Sequence, residues 1–207
     1  MTELSIEDID LQGVKAVVFD LDGTLYDKWW LPLRLMAGNI RHILLLAAER
    51  KARRQLQGLY FGDADTFYRA LFTLIAESRG LPYLKVKEWY VGSYMPLTIS
   101  VLRKHYKARR FAEPLLSELR KRGIKTAVFS DYGCVEEKLE AIGLDKTLFD
   151  YTESAPELGG LKPNKNMMQR LLGKTGTLPD ETLMIGDRDD TDGESARQTG
   201  MRYFIVI

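Results

Sequence analysis

The chain has 207 residues, with 30 Lys and Arg against 29 Asp and Glu, which gives a net charge of +1. Apolar residues make up 45% and charged residues 29%, a composition that excludes an intrinsically disordered chain. The single Cys excludes an internal disulfide framework and a zinc site built from four Cys ligands. The length fits one large domain or a domain with an insert.

The sequence lacks the features of a targeting or membrane segment. The first ten residues are acidic and contain neither the basic nor the apolar part of a secretory signal. The longest apolar stretch, residues 29–48, is interrupted by Arg34 and Arg41, which disfavours a membrane-spanning helix. We therefore expect no transmembrane segment, and with one Cys the default compartment is the cytoplasm.

Short runs rich in Val, Ile and Phe predict strands buried on both faces of a parallel sheet. These runs are residues 16–19, 126–129, 183–185 and 203–206, with residues 148–149 as a weaker candidate. Helical patterns lie between them, at residues 113–121, 136–142, 164–174 and 194–198. The alternation of strands and helices predicts an open, doubly wound α/β sheet.

One long interval after the first predicted strand contains helical patterns and no convincing strand. The patterns cover residues 30–57, 64–79 and 85–106. Asp63 and Gly80 are expected to cap the second helix at its two ends, and Pro96 interrupts the third. We expect an α/β core and a helical insert, with hinges near residues 25–27 and 111–114. The core would be residues 1–25 and 113–207, and the insert residues 26–112.

The two parts of the chain differ in charge. The predicted insert contains 16 Lys or Arg and 6 Asp or Glu, a net charge of +10. The remainder contains 14 Lys or Arg and 23 Asp or Glu, a net charge of −9. This split predicts a positive surface that attracts an anionic substrate, with solvated helical faces as the alternative. Contact with nucleic acid or an anionic membrane is a third interpretation, but no recognition motif is present and no nucleic-acid partner is expected.

Polar side chains follow the predicted strands, where parallel sheets form their ligand sites. They are Asp20 and Asp22 after the first strand, Ser130 after the second, Lys162 before the fourth and the acidic run 187–192 after it. Carboxylates this close together repel one another unless a cation is nearby. The pattern therefore favours a metal site at one edge of the sheet.

These four motifs resemble those of the haloacid dehalogenase (HAD) superfamily of phosphohydrolases, in the family's order and over nearly the whole core. They are Phe19-Asp20-Leu21-Asp22-Gly23-Thr24-Leu25, Ser130, Lys162-Pro163 and Gly186-Asp187 with Asp192. The resemblance implies a Rossmann-like parallel sheet. Because the insert separates the first two motifs, it also implies a helical C1-type cap like that of phosphoglycolate-phosphatase-like members. The alternative is a simple turn at Asp-Gly-Thr and a solvated acidic loop.

The resemblance implies a role for each motif residue. Asp20 would be the nucleophile that forms an aspartyl-phosphate, and Asp22 the general acid and then the general base. Ser130 would bind the phosphoryl oxygens, and Lys162 would pair with the phosphate and the nucleophile. Mg²⁺ would be held by Asp20, by the backbone carbonyl of Asp22 and by Asp187.

The fourth motif needs a second carboxylate, which the family places four or five residues after the first. Four residues after Asp187 is Thr191, which has no carboxylate. We therefore expect Asp192 to complete the metal site as the supporting acidic group. Asp190 and Asp189 stay open as alternatives.

The implied activity is that of a Mg²⁺-dependent phosphatase acting on a small, anionic phosphorylated metabolite. Asp22 favours phosphoryl transfer over carbon–halogen cleavage, because the family's dehalogenases have another residue at this position. A sugar phosphomutase with the same core chemistry and a non-catalytic binding protein on this fold are the alternatives. Cap residues would select the substrate; the aromatic candidates Trp29, Trp30, Tyr60 and Tyr94 are more typical of packing. The physiological substrate and the oligomeric state stay open.

Overall fold

A computed structural model describes residues 6–206 of the chain. Five parallel strands form one sheet in the order β3-β2-β1-β4-β5. The strands are β1 (Ala16–Phe19), β2 (Lys125–Ser130), β3 (Tyr151–Ser154), β4 (Thr182–Gly186) and β5 (Arg202–Ile205). The predicted fold class, an α/β protein with a Rossmann-like parallel sheet, is confirmed.

The central strand β1 sets the position of the first motif. Its four residues are fully buried, and Phe19 at its carboxyl end pairs with Val128 of β2 and Ile185 of β4. The carboxyl ends of these three strands therefore lie at one edge of the sheet. Because Asp20 follows Phe19 directly, its side chain emerges at that edge.

Six α-helices of the described residues lie between β1 and β2, and the first five of them fall within residues 31–105. These five are α1 (Leu31–Gly38), α2 (Ile43–Leu56), α3 (Ala64–Arg79), α4 (Tyr83–Trp89) and α5 (Met95–His105). The bounds and caps predicted for α3 are confirmed. Asp63 accepts a hydrogen bond from the backbone N–H of Thr66 at 2.8 Å, and Gly80 ends the helix with φ of 62°. The helices agree with a helical cap, whose limits as a separate domain stay a prediction.

The remaining four helices cover both faces of the sheet. They are α6 (Ala112–Lys121), α7 (Val135–Ala141), α8 (Lys165–Thr175) and α9 (Glu194–Thr199). Leu116 of α6 and Leu139 of α7 belong to the same buried cluster as Val17, whereas Met168 of α8 belongs to the cluster of Val18. Successive residues of a strand point to opposite faces, so the sheet is doubly wound.

The weak strand predicted at residues 148–149 was wrong. Leu148 ends a single 3₁₀ turn, Lys146–Leu148, and the strand is β3, which begins at Tyr151. Within residues 6–206, β3 lies at an edge of the sheet and pairs only with β2, and three of its four residues are half-buried. An edge strand of this kind does not need a continuous apolar run, so its sequence Tyr-Thr-Glu-Ser lacks the expected pattern.

The helix predicted over residues 30–57 is two helices in the structure. α1 ends at Gly38, and a 3₁₀ turn, Ile40–His42, precedes α2. The break follows a residue with poor helix propensity, and Asn39 beyond it has φ of −134°. The helix predicted over residues 85–106 is interrupted by a π turn, Tyr90–Tyr94, rather than at Pro96, which lies in the first turn of α5.

The return hinge expected at residues 111–114 was also misplaced, because α6 already begins at Ala112. Pro114 lies in the first turn of α6, where a backbone N–H has no intrahelical acceptor and a Pro is tolerated. The segment between α5 and α6 is therefore residues 106–111. Among the described residues, no helix is long and apolar enough to cross a bilayer.

Candidate active site

The structure brings the predicted motif residues together at the carboxyl edge of the sheet. Lys162 is 1% exposed and joins two of them, since its Nζ lies 2.8 Å from Asp20 Oδ1 and 2.6 Å from Asp192 Oδ1. Thr24 donates a hydrogen bond of 2.9 Å to the other oxygen of Asp20. Both oxygens of the predicted nucleophile are thus held by donors from the first and third motifs.

Three carboxylates form a cluster with the composition of a metal site. Asp20, Asp187 and Asp192 each offer an oxygen, and these three atoms lie within 4.8 Å of one another. Asp192 approaches the end of β4 so closely that a Cβ on Gly186 would lie 2.2 Å from its Oδ2. Because Gly186 has no Cβ, the Asp192 side chain can lie against the backbone at the end of β4.

The two alternative acidic residues of the fourth motif lie outside this cluster. Asp190 is 65% exposed and pairs with Arg188 at 2.6 Å, and Asp189 is 64% exposed and pairs with Arg197 at 2.8 Å. Asp192 is 1% exposed. Position and burial therefore favour Asp192 as the second acidic group, as expected from its spacing.

Asp22 has a separate set of partners that the sequence did not predict. Lys138 of α7 lies 2.7 and 2.8 Å from its two carboxylate oxygens, and the Tyr26 hydroxyl donates to Oδ1 at 2.5 Å. Ser130 donates to Oδ2 at 2.7 Å. In this structure the Ser130 hydroxyl therefore binds Asp22, and its contact with a phosphoryl group stays a prediction.

The surroundings shift the protonation of the two carboxylates in opposite directions. Burial raises the pKa of Asp20 to about 6, although the positive charge of Lys162 opposes the shift. Burial acts in the same sense on Asp22, but the charge and hydrogen bonds of Lys138, with those of Tyr26 and Ser130, lower its pKa to about 2. Asp22 is therefore a carboxylate at neutral pH in this arrangement.

Lys28 contacts two of the groups that are expected to bind the metal. Its Nζ lies 2.5 Å from the backbone carbonyl oxygen of Asp22 and 2.6 Å from Asp187 Oδ2. A Cβ on Gly23, which has φ of 111°, would lie 2.2 Å from Asp187 Oδ2. Two of the predicted metal ligands thus already hold a cation, the ammonium group of Lys28. An all-oxygen set that holds a cation fits Mg²⁺, which prefers hard oxygen ligands.

A cavity of about 530 Å³ opens over these groups. Asp20, Asp22, Asp187 and Lys138 contribute to it, together with side chains of the segment 29–35 and of α5. An adjoining cavity of about 350 Å³ has arginines of α2 and Arg188 in its lining. Two of the aromatic candidates, Trp29 and Tyr94, line the first cavity. Trp29 is 76% exposed, whereas Tyr94 is buried and stacks on Trp89 at 5.2 Å.

A family model described as haloacid dehalogenase-like hydrolase matches residues 14–200. The chain belongs to this family. The predicted membership and the enzyme class, a phosphohydrolase, are confirmed. A glyceraldehyde 3-phosphate phosphatase of Methanopyrus kandleri is 26% identical over 195 residues, which cover 91% of this chain and 82% of that protein. A phosphoserine phosphatase of Thermus thermophilus is 31% identical over 102 residues, covering 48% of this chain and 41% of that protein.

Solved structures of the HAD-like fold superpose on most of the chain. A 2-haloacid dehalogenase of Pseudomonas syringae pv. Tomato DC3000 has a TM-score of 0.65 at 20% identity, covering 93% of this chain and 86% of that one. A predicted phosphoglycolate phosphatase of Haemophilus somnus has a TM-score of 0.60 at 20% identity, covering 94% and 85%. At this identity the likeness establishes the fold and leaves the reaction to be argued from the site.

Three residues that contact the site were missed by the sequence analysis: Tyr26, Lys28 and Lys138. Lys28 lies within reach of the first motif along the chain, but nothing in the sequence directs its side chain toward Asp187. Lys138 is 116 residues from Asp22, and its Glu-Glu-Lys surroundings are typical of an exposed helix. The one sequence feature that could have indicated Lys138 is its place on a predicted helix after the second motif.

Proposed function

We propose that this HAD-like hydrolase is a Mg²⁺-dependent phosphatase that hydrolyses a small phosphorylated metabolite through an aspartyl-phosphate on Asp20. One observation carries the proposal. The Asp20 carboxylate is oriented by Lys162 and Thr24 beside two further carboxylates and at the floor of a cavity. The names of the relatives, glyceraldehyde 3-phosphate phosphatase and phosphoserine phosphatase, support a small phosphomonoester as the substrate.

The metal site would consist of Asp20, Asp187 and the backbone carbonyl of Asp22, with Asp192 as the supporting carboxylate. Three acidic oxygens within 4.8 Å of one another support this set. Bound there, Mg²⁺ supplies positive charge that offsets the negative charge of the transferring phosphoryl group. Lys162 contributes a second positive charge beside Asp20. Burial lowers the pKa of Lys162, but the negative charges of Asp192, Asp20 and Asp131 outweigh this effect and hold the pKa well above the usual range.

In the first half-reaction, a carboxylate oxygen of Asp20 attacks phosphorus and the bond from phosphorus to the ester oxygen breaks. Hydrogen bonds to both oxygens of Asp20 fix the direction of this carboxylate. The departing alkoxide takes a proton from Asp22. A phosphoryl dianion raises the pKa of a neighbouring carboxylate, because like charges disfavour ionisation, and Asp22 can thereby carry that proton in the substrate complex.

In the second half-reaction, Asp22 removes a proton from water as the water oxygen attacks phosphorus. The bond between Asp20 and phosphorus breaks, which releases inorganic phosphate and restores the Asp20 carboxylate. The low pKa of Asp22 supports this role, since the general base must be ionised. Lys138 and Tyr26 hold the carboxylate in place for both steps.

The test is phosphate release from a panel of small phosphomonoesters in the presence of Mg²⁺. We expect the wild type to release phosphate and Asp20→Asn to be at least about 1,000-fold slower, as for loss of other catalytic nucleophiles. Asp180→Asn, which changes an exposed Asp away from the site, is the matched control and should equal the wild type. Equal activity of Asp20→Asn and the wild type would contradict the nucleophile assignment.

The same panel separates the alternatives. A sugar phosphomutase would convert a sugar phosphate into its isomer and release no free phosphate. A non-catalytic binding protein would turn over no ester at all.

A further inference from the structure

The 530 Å³ cavity over the carboxylates has two chemically different walls. The floor carries the acidic motif residues and Lys138. The second wall comes from the segment before α1, from α1 itself and from α5. Its apolar members are Trp29, Leu31, Pro32, Leu35 and Met95.

The polar atoms of this second wall are few. Thr98 of α5 donates its hydroxyl hydrogen to the backbone carbonyl of Tyr94 at 2.9 Å, so it has no hydrogen left to donate to a ligand. The Tyr94 ring, which also lines the cavity, stacks on Trp89 with 17° between the ring planes. Lys28, from the segment before α1, and Arg50 of α2 contribute charged side chains to the lining, and the Lys28 ammonium is held by the Asp22 carbonyl and Asp187. The wall therefore offers apolar contact to most of what enters the cavity.

The volume of the cavity and its apolar lining both favour a substrate larger than a three-carbon phosphate. Pockets of about 300–1,000 Å³ accommodate ligands of drug size, and a three-carbon phosphate would leave much of this cavity to water. Trp29 is 76% exposed at the cavity. An aromatic side chain of this size gains most from a flat apolar partner that removes its surface from water.

We propose that the alcohol part of the substrate carries an apolar body of about the size of an aromatic ring, which packs against Trp29, Leu35 and Met95. This inference rests on the proposed phosphatase function and narrows its substrate class. The phosphoryl group lies at Asp20, and the ester oxygen connects it to a body held by the apolar wall. Specificity between phosphomonoesters then depends on hydrophobic contact with the body.

Two simple esters test the proposal, 2-phenylethyl phosphate and ethyl phosphate. Both are primary alkyl esters with similar leaving oxygens, so a difference in kcat/KM reports on the body. We expect kcat/KM for the phenylethyl ester to exceed that for the ethyl ester by about tenfold or more. Trp29→Ala should lower kcat/KM for the phenylethyl ester about tenfold and change that for ethyl phosphate less than about twofold.

Trp30→Ala is the matched control. Trp30 is the next residue, is 53% exposed and is absent from the lining of the cavity. This variant should keep the wild-type preference, which separates a cavity contact from a general loss of aromatic surface. Thermal melting of both variants verifies that the fold is intact.

The possible results distinguish a failure of the apolar-body proposal from a failure of the proposed phosphatase function. Equal or better hydrolysis of ethyl phosphate, or an equal loss on both esters in Trp29→Ala, overturns the apolar-body proposal and leaves the phosphatase function standing. Hydrolysis of a triose phosphate but of neither alkyl ester would also overturn the apolar-body proposal and leave the phosphatase function standing. Absence of phosphate release from every phosphomonoester overturns the proposed function, and the inference falls with it.

Discussion

The ammonium group of Lys138 lies 2.7 and 2.8 Å from the two carboxylate oxygens of Asp22, in a lysine that is 1% exposed. A fully buried ammonium needs a counter-charge, and Asp22 provides it. The pair links α7 to the first motif and keeps Asp22 ionised when no phosphoryl group is bound beside it. Lys138 is therefore a positioning residue for the proposed acid–base group.

Replacement of Lys138 by Met should slow the reaction by about 100-fold through kcat, because it disorders a general acid–base group. The pKa of Asp22 should rise, since the raising effect of burial is no longer opposed by the ammonium charge. A base with a higher pKa is ionised only at higher pH, so the acid limb of the kcat profile should move upward. Lys146→Met, an exposed change, is the control for the pH profile. An unmoved acid limb would show that Lys138 acts only on stability.

Lys28→Met should strengthen the binding of Mg²⁺. The Lys28 ammonium contacts the Asp22 carbonyl and Asp187, two of the proposed ligands, and so competes with a divalent cation for them. We expect the dissociation constant for Mg²⁺, measured by calorimetry, to fall about threefold to tenfold, as expected for loss of a partly exposed competing charge. Lys51→Met changes an exposed Lys of α2 and should leave the constant unchanged. Weaker binding in Lys28→Met would contradict the competition.

Asp192→Asn should destabilise the protein and weaken its binding of Mg²⁺. The substitution removes a carboxylate partner of the buried Lys162 ammonium, a loss of about 3 kcal/mol in the free energy of unfolding. Asp190→Asn removes an exposed partner of Arg188 and should change that free energy by less than about 1 kcal/mol. Urea unfolding and metal titration of the two variants give the comparison. Equal effects would refute Asp192 as the second acidic group.

Arg50→Gln should reduce the rate at which anionic substrates reach the site. Arg50 lines both cavities, and its guanidinium has no hydrogen-bond or ion-pair partner within residues 6–206. At low ionic strength kcat/KM should fall severalfold, and the decline of kcat/KM with added salt should become shallower. Arg79→Gln removes one positive charge at the end of α3 and serves as the control. An identical salt dependence in the two variants would refute steering by Arg50.

The features that the sequence predicted best are those that depend on residues close together along the chain. The strand at Ala16–Phe19 is a continuous apolar run, and the residues after it emerge at the edge where β2 and β4 also end. The caps of α3 at Asp63 and Gly80 are likewise local, since each bonds within its own helix. Such features need no knowledge of tertiary packing.

The parts that the sequence did not predict depend on contacts between distant segments. The Lys138–Asp22 pair joins positions 116 residues apart, and it forms only because α7 and the first motif pack into one buried cluster that contains Leu139 and Leu25. The edge strand β3 was missed because pairing with one neighbour suffices to hold a polar sequence in a sheet. The apolar wall at Trp29 and Met95 could not be predicted either, because the two residues come to line one cavity only when α1 and the segment before it pack against α5.

Direct trapping of the phosphorylated enzyme tests the central claim, an aspartyl-phosphate on Asp20. The wild type is mixed with a phosphomonoester and Mg²⁺, quenched in acid, and treated with borohydride, which reduces an acyl phosphate to an alcohol. Peptide mass spectrometry should find homoserine at position 20 and an unchanged Asp22. Intact Asp20 in samples that have released phosphate, or a reduced side chain at another position, would contradict the account.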